Sequence, residues 1–493
     1  MCGIVAYWGS DRSDLVIPML SKLSHRGPDG RGVERLPGDA GVLGHQRLAI
    51  IDPASGQQPM RTPDGESALI VNGMIYNYRD LRDELDGAPF ATDSDSETIL
   101  HGYSEWGNEV VDRLDGMFAF VLTDGDRLVA ARDPLGIKPL YMGEVDGELV
   151  FASEINALAG VADELREFPA GHLFDSKRGF TGYYAVPEPS TAPASGAEAL
   201  ALVRATLEES VRKRLRSDVP LGCFLSGGLD SSLIAAIARQ HVDELHTFSV
   251  GLAGSTDLEA AREVAAHLGT IHHERVVTRQ EALYALPDVV RHLESFDRDL
   301  VRNAVPTWFV AREAVAAGMK VILTGEGADE LFAGYRYYED YADDPDALQR
   351  ELRRSLEALH DMNLQRVDRM TMAHGLEARV PFLDTAMVAL AMRIDPRLKR
   401  PVEDGQVIEK WVLRKACEDL LPDEITWRTK AQFAGGSGFA DVFAEHERAL
   451  KAQFLVVGDV EEKFYRDILA RHLEDEHALS LTTHWRDNRV LVS

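Results

Sequence analysis

Residues 1–185 are built from short runs that are apolar or alternate in twos. CGIVAYW, GVLGHQRLAII, SALIVNG, MFAFVLTD, RLVAARD and ELVFASE are each bounded by Gly, Asp or Pro, the signature of strands. Helical spacing replaces this pattern near DLVIPMLSKLS and SDSETILHGYSEWG, the second entered through Ser and Asp residues suited to a cap. Strands stacked with a few helices predict a layered α+β domain. The stretch VPEPSTAPASGAEA, residues 186–199, is rich in Pro, Ser, Gly and Ala and reads as a linker. Beyond it, PLGCFLSGG, LHTFSVGL and MKVILTGEG are buried-strand candidates, each followed by a helical pattern. That succession predicts a mostly parallel sheet covered on both faces. From about residue 345 onward the pattern is almost wholly helical. The expectation is two domains of different class, 1–185 and 200–493.

Composition narrows the function. Fifty-three Lys and Arg against 81 Asp and Glu give a formal charge of −28, which argues against nucleic acid as a partner. An anionic small molecule remains compatible, because helix N-termini and a few placed cations can outweigh a distant net field. The three cysteines, Cys2, Cys223 and Cys417, are far apart and odd in number, which argues against a disulfide framework or a zinc site. The N-terminus has no basic stretch before its apolar residues, and no apolar run is long enough to span a bilayer. A cytoplasmic protein with no membrane partner is expected.

The most specific local chemistry is PLGCFLSGGLDSSLIAAIARQ, where a strand meets a helix through Ser226, Gly227, Gly228, Leu229, Asp230, Ser231 and Ser232. Glycines let the backbone approach an anion, hydroxyls donate, and the helix start presents free N–H groups. There is no Gly-Lys pair, so this is not a Walker loop. An aspartate within a phosphate loop requires an intervening cation, which makes Asp230 a candidate Mg²⁺ ligand. A second acidic turn, VILTGEGADELFAGY, follows another buried strand. Ligands gather at the carboxyl ends of parallel strands, so Glu326 and Asp329 should face the same crevice as Asp230.

With both turns in view, SGGLDSS resembles the pyrophosphatase-type loop of adenylating ligases. TGEGADELFAGY, GLEARVPFLD and WRTKAQF resemble, in order, further blocks of the glutamine-hydrolysing asparagine synthetase family. The resemblance covers nearly the whole chain. It implies an N-terminal four-layer αββα sandwich of the N-terminal-nucleophile hydrolase type. The second domain would be an adenine-nucleotide α-hydrolase-like parallel sheet with a helical C-terminal part. By resemblance, Asp230 and Asp329 hold Mg²⁺ and pyrophosphate, and Leu225, Ser226, Gly227, Gly228, Ser231, Val250, Gly251, Thr324 and Gly325 surround ATP. Glu326 would face the acyl-adenylate and incoming ammonia, Lys430 would neutralise charge developing on phosphate, and Arg302 and Tyr335 would line the acceptor pocket. Arg379 reads more readily as a surface charge.

An acyl-adenylate needs a nitrogen nucleophile, and this gives the cysteine at position 2 a purpose. A thiol that begins the mature chain can attack a glutamine amide and use its own α-amino group, of ordinary pKa about 7.7–8.0, to relay the proton. HRGPDG, GHQRLAIID, NGMIYN and SDSE resemble the matching glutaminase domain. That resemblance assigns Arg47 to the glutamine carboxylate, Asp95 to its α-amino group, and Asn72 with the Gly73 N–H to an oxyanion hole. Two departures stand out. Met74 occupies a place where the family usually has Glu, which points to weaker glutamine binding or a modified donor. Asp299 and Leu300 stand where a Thr-Thr pair is common, which alters the acceptor pocket. Ammonia passing between sites implies an internal passage, with Met117, Val380 and Leu383 at its matching positions, although ordinary core is an equal reading. The resemblance thus implies glutamine, ATP and a carboxylate acceptor, aspartate favoured, with Mg²⁺ and a homodimer. Its competitors are a β-lactam-synthetase-like cyclase and a silent nucleotide-binding regulator.

Overall fold

The computed structural model describes residues 2–190, 196–341, 343–403, 405–429, 433–454 and 459–482. The first domain contains two six-stranded antiparallel sheets. One is ordered 163–167, 141–145, 148–152, 2–8, 41–47 and 30–35; the other 179–182, 172–175, 127–132, 116–124, 67–75 and 60–61. Their facing sides meet through Ile4, Ala6, Leu43, Ala68, Ile70, Ala119, Val121 and Phe151. The opposite side of the first sheet, with Val5, Tyr7 and Val42, is covered by the helix Ser13–Lys22 through Val16, Met19 and Leu20. The helix Glu97–Trp106 covers the second sheet through Ile99, Leu100 and Tyr103. This is the four-layer αββα sandwich. Strands buried on both faces need apolar residues at every position, which is why CGIVAYW reads as a continuous run.

The second domain holds a five-stranded parallel sheet ordered 271–276, 246–251, 221–224, 321–323 and 377–379. Chain order therefore reverses between the Leu221–Phe224 and Val321–Leu323 strands, the switch point where such sheets open a crevice at their carboxyl ends. Two apolar clusters run continuously from the helical layers of the first domain into this sheet.

Four local expectations are corrected. The strand Gly41–Arg47 stops before LAII, because Leu48, Ile50 and Ile51 turn away to line a pocket. The helix Gly196–Arg214 begins inside the stretch read as a linker, whose last residues are good helix formers. The helix Glu97–Trp106 has no side-chain cap, since Asp95 bonds elsewhere. Arg379 is no surface charge: it is fully buried, donating to Glu377 at 2.7 Å and to the carbonyls of Arg214 and Arg216.

Candidate active sites

The inner layer of the sandwich passes from apolar to polar at one end. Cys2 continues the face of Ile4 and Ala6, His45 and Arg47 that of Leu43, and Asn72 that of Ala68 and Ile70. The same two-residue period that builds the core thus delivers four candidate side chains to one place. The Cys2 backbone nitrogen donates to Asn72 Oδ1 at 2.9 Å. Asn72 Nδ2 is buried without a hydrogen-bond partner, a costly state for a donor unless a ligand oxygen satisfies it.

Gly73 is positioned by its neighbours. Val71 N–H donates to Gln58 Oε1 at 2.6 Å and Ile75 N–H to Asp95 Oδ2 at 2.9 Å, both away from the paired strand. By strand alternation the Gly73 N–H leaves on that same edge. A pocket there is lined by Cys2, Arg47, Gly73, Met74, Asp95 and Glu377, among others. A side chain at position 73 would strike the Met117 carbonyl oxygen at 2.4 Å, so only glycine fits. Arg47 is anchored by the carbonyls of Asp52 and Pro53 at 2.6 and 2.9 Å.

Electrostatics separate Cys2 from the other cysteines. Burial alone pushes Cys223 and, chiefly, Cys417 up to about 12. Cys2 is also buried, yet its thiol is brought down to about 7, with the adjacent His45 imidazole the strongest lowering influence. His45 Nε2 donates to the Val71 carbonyl at 3.2 Å, which fixes the tautomer, and its buried Nδ1 has no partner of hydrogen-bond geometry. Burial raises Asp95 to about 6, with the Glu377 carboxylate adding to the rise.

The second site lies at the switch point. Ser226, Gly227 and Gly228 form the turn into the helix Leu229–Arg239, with Ser231 Oγ accepting from the Ser226 N–H at 3.1 Å. Gly227 has φ +71°, and a side chain there would meet Ala261 N at 2.5 Å. A Cβ at Gly325 would lie 2.8 Å from both Asp230 Cβ and Ser231 N, so the two loops touch through this glycine. Leu225 N–H donates to the Phe248 carbonyl at 2.8 Å, and Val250 and Gly251 end the next strand. Thr324 is buried, its N–H bonded to the Arg379 carbonyl. Asp230 and Asp329 do converge: the buried Lys410 ammonium lies 2.5 Å from one and 2.6 Å from the other. Asp230 Oδ1 is buried without a hydrogen-bond partner, so the pair retains capacity for a divalent cation.

Around the crevice, Glu326 pairs with Arg366 at 2.7 Å, and the Tyr335 hydroxyl donates to Glu330 at 2.6 Å. Burial, reinforced by Asp329, raises Glu330 to about 7. Arg302 is engaged by Glu447 at 3.1 Å and by Glu461. Asp299 pairs with Arg298, and Leu300 is buried. Met117, Val380 and Leu383 are buried in the cluster that also holds Met74 and Leu225. Lys430 lies outside the described residues.

Sequence reasoning missed His45, Glu377 and Lys410. His45 was reachable, two residues before Arg47 on an alternating strand. Lys410 sits in EKWVLRKA, which reads as an ordinary helix start.

A sandwich with a cysteine, an orphaned amide donor and an anchored arginine at one end, joined to an adenylate-type crevice, defines an ATP-dependent amidotransferase. The family described as glutamine amidotransferase domain matches residues 1–175, and the one described as asparagine synthase matches 202–345 and 340–492. Glutamine-hydrolysing asparagine synthetases from Triphysaria versicolor and Zea mays are 43% and 44% identical over 463 residues, covering 89% of this chain and 78% of theirs. One from Arabidopsis thaliana is 43% identical over 89% of this chain and 80% of its own. The chain belongs to the glutamine-hydrolysing asparagine synthetase family. It is an ATP-dependent carbon–nitrogen ligase with a glutamine amidotransferase domain. Among the described residues no helix is long and apolar enough to cross a membrane.

Proposed function

We propose that Cys2, with Met1 removed, is the nucleophile that releases ammonia from glutamine, and that this ammonia converts aspartate to asparagine at the second site. The observation that carries the first half is the buried, unpartnered Asn72 Nδ2 beside Cys2. An amide donor held there matches the oxygen that becomes negative when the thiolate attacks. The Gly73 N–H supplies the second donor. Arg47 takes the glutamine carboxylate and Asp95 its ammonium group. The Cys2 α-amino group, oriented by Asn72 Oδ1, carries the thiol proton to the departing ammonia.

At the crevice, the serines and glycines of 226–231 cradle the pyrophosphate of ATP while the acceptor carboxylate attacks the α-phosphate. Pyrophosphate leaves, ammonia adds to the acyl carbon, and AMP departs. Asp230 and Asp329 would hold Mg²⁺, which neutralises phosphate charge when bound. Glu326 and Tyr335 would face the acyl group, with Arg302 assigned to the acceptor pocket and Lys430 to the phosphate. Ammonia would cross the apolar cluster containing Met117, Val380 and Leu383, in a cytoplasmic enzyme. Asp299 and Leu300 at the start of the Arg298–Ala316 helix favour one second reading, a carboxylate acceptor other than aspartate.

ATP–pyrophosphate exchange against a panel of carboxylates tests the acceptor: exchange with aspartate supports this reading, and exchange only with another acid replaces it. Cys2→Ala should abolish glutamine-dependent turnover and spare ammonium-dependent turnover. Equal loss of both contradicts the two-site scheme.

A further inference from the structure

The helix Asn363–Met372 lies between the two sites and is charged on both sides, although all but its first residue are buried. On one side Asn363 donates to Glu330 at 3.0 Å and to the Tyr335 hydroxyl at 2.8 Å, and Arg366 pairs with Glu326 at 2.7 Å. Asp368 is two positions beyond Arg366, about 200° round the helix, and turns to the other domain. Its Oδ2 accepts from Arg26 at 2.8 Å and its Oδ1 from Lys138 at 3.3 Å. Arg369 adds Glu154 and Glu294, each at 2.9 Å.

Arg26 has no exposed surface. Its fork has three fixed ends: Glu154 at 2.7 Å, Asp368 at 2.8 Å and, through Nε, the carbonyl oxygen of Cys2 at 3.1 Å. Apolar side chains would join two domains at least as firmly as buried ion pairs do. What a planar guanidinium gripped at every edge adds is a single orientation. Here that orientation ends on the backbone of the nucleophile, and one of its two carboxylate anchors belongs to the other domain.

We propose that Asp368 is a positioning residue for the glutaminase, supplied by the synthetase domain: it holds Arg26, and through Arg26 the Cys2 carbonyl, in the attacking geometry. The proposal rests on Cys2 as nucleophile. Because Arg366 on the same helix grips Glu326, the helix is a shared mount for both sites. Seating it for acyl transfer also seats the thiol.

The test uses the full chain and three rates: glutamate release from glutamine, pyrophosphate release with ammonium, and Cys2 alkylation. Asp368→Asn keeps the shape and removes the charge. It should lower kcat for glutamine hydrolysis and the alkylation rate at least tenfold, with KM within threefold and ammonium-supported pyrophosphate release within twofold. Arg26→Lys keeps the charge, loses the fork and should give the same split, which keeps the proposal testable if Asp368→Asn does not fold. The double variant should be no worse than the poorer single, because both act through one contact. Equal loss of both activities, unchanged glutamine hydrolysis, or additive losses would overturn the proposal. Undiminished glutamine hydrolysis by Cys2→Ala would instead remove the nucleophile reading beneath it.

Discussion

Replacing His45 by glutamine should disarm the thiol without unmaking the site, since the glutamine amide can still donate to the Val71 carbonyl that now receives His45 Nε2. Burial opposes ionisation of Cys2, and His45 is the strongest influence that brings the thiol from its ordinary 9.0 down to about 7. Losing that influence raises the thiol, and a full return to its ordinary 9.0 would cost the thiolate about 2.7 kcal/mol. At pH 7 the ionised fraction then falls from about one half to about 1%, roughly fiftyfold. A more basic thiolate is also a better nucleophile, by about eightfold for this change, so the net loss at pH 7 is about sixfold. The sign is definite. In the native protein, reactivity is present above about pH 7 and lost below it; in His45→Gln the same rise should occur at clearly higher pH. Alkylation of Cys2 by iodoacetamide, followed by intact mass across pH 6–10, reads both midpoints directly. A variant whose midpoint stays near 7 refutes the assignment of His45. A variant whose rate is lower at every pH by a constant factor also refutes it, because that pattern reports access rather than ionisation.

Asp95, raised to about 6, should lose its charge as pH falls through that value, so KM for glutamine should climb below pH 6 while ammonium-dependent turnover is unaffected by this group. Glu377→Gln removes a like charge and should move that acid limb to lower pH; an unmoved limb argues against their coupling. Lys410→Met leaves Asp230 and Asp329 facing each other without their shared ammonium. It should cost about 3 kcal/mol in urea unfolding without divalent cations, recover in part with Mg²⁺, and impair pyrophosphate release. Gly325→Ala places a methyl 2.8 Å from Asp230 Cβ and Ser231 N. A loss of about 1–3 kcal/mol should accompany loss of pyrophosphate release, with glutamine hydrolysis by the same variant intact.

The sequence declared most of what local period controls. Runs such as SALIVNG and MFAFVLTD became adjacent central strands, and the loops SGGLDSS and TGEGADE emerged side by side because the parallel strands before them are neighbours. Strands with a weaker apolar signal escaped, among them Gly30–Arg35, with every second residue exposed, and the short edge strand Glu377–Arg379. The pocket beside Cys2 was legible for residues on alternating strands and silent for Glu377, which the other domain contributes.

The helix Asn363–Met372 shows why the remainder was hidden. NLQRVDRMTM carries Arg366, Asp368 and Arg369 within four positions, a composition that reads as a solvated face. Its burial is possible only because each charge finds an opposite charge, and those partners, Glu326, Arg26, Glu154 and Glu294, lie far away in the chain. A pattern that looks like surface by period is interior by assembly. The contradiction itself carries information, because a helix that must stay charged while buried is held by what its charges meet. Here they meet the backbone of Cys2 through Arg26 on one side and Glu326 on the other.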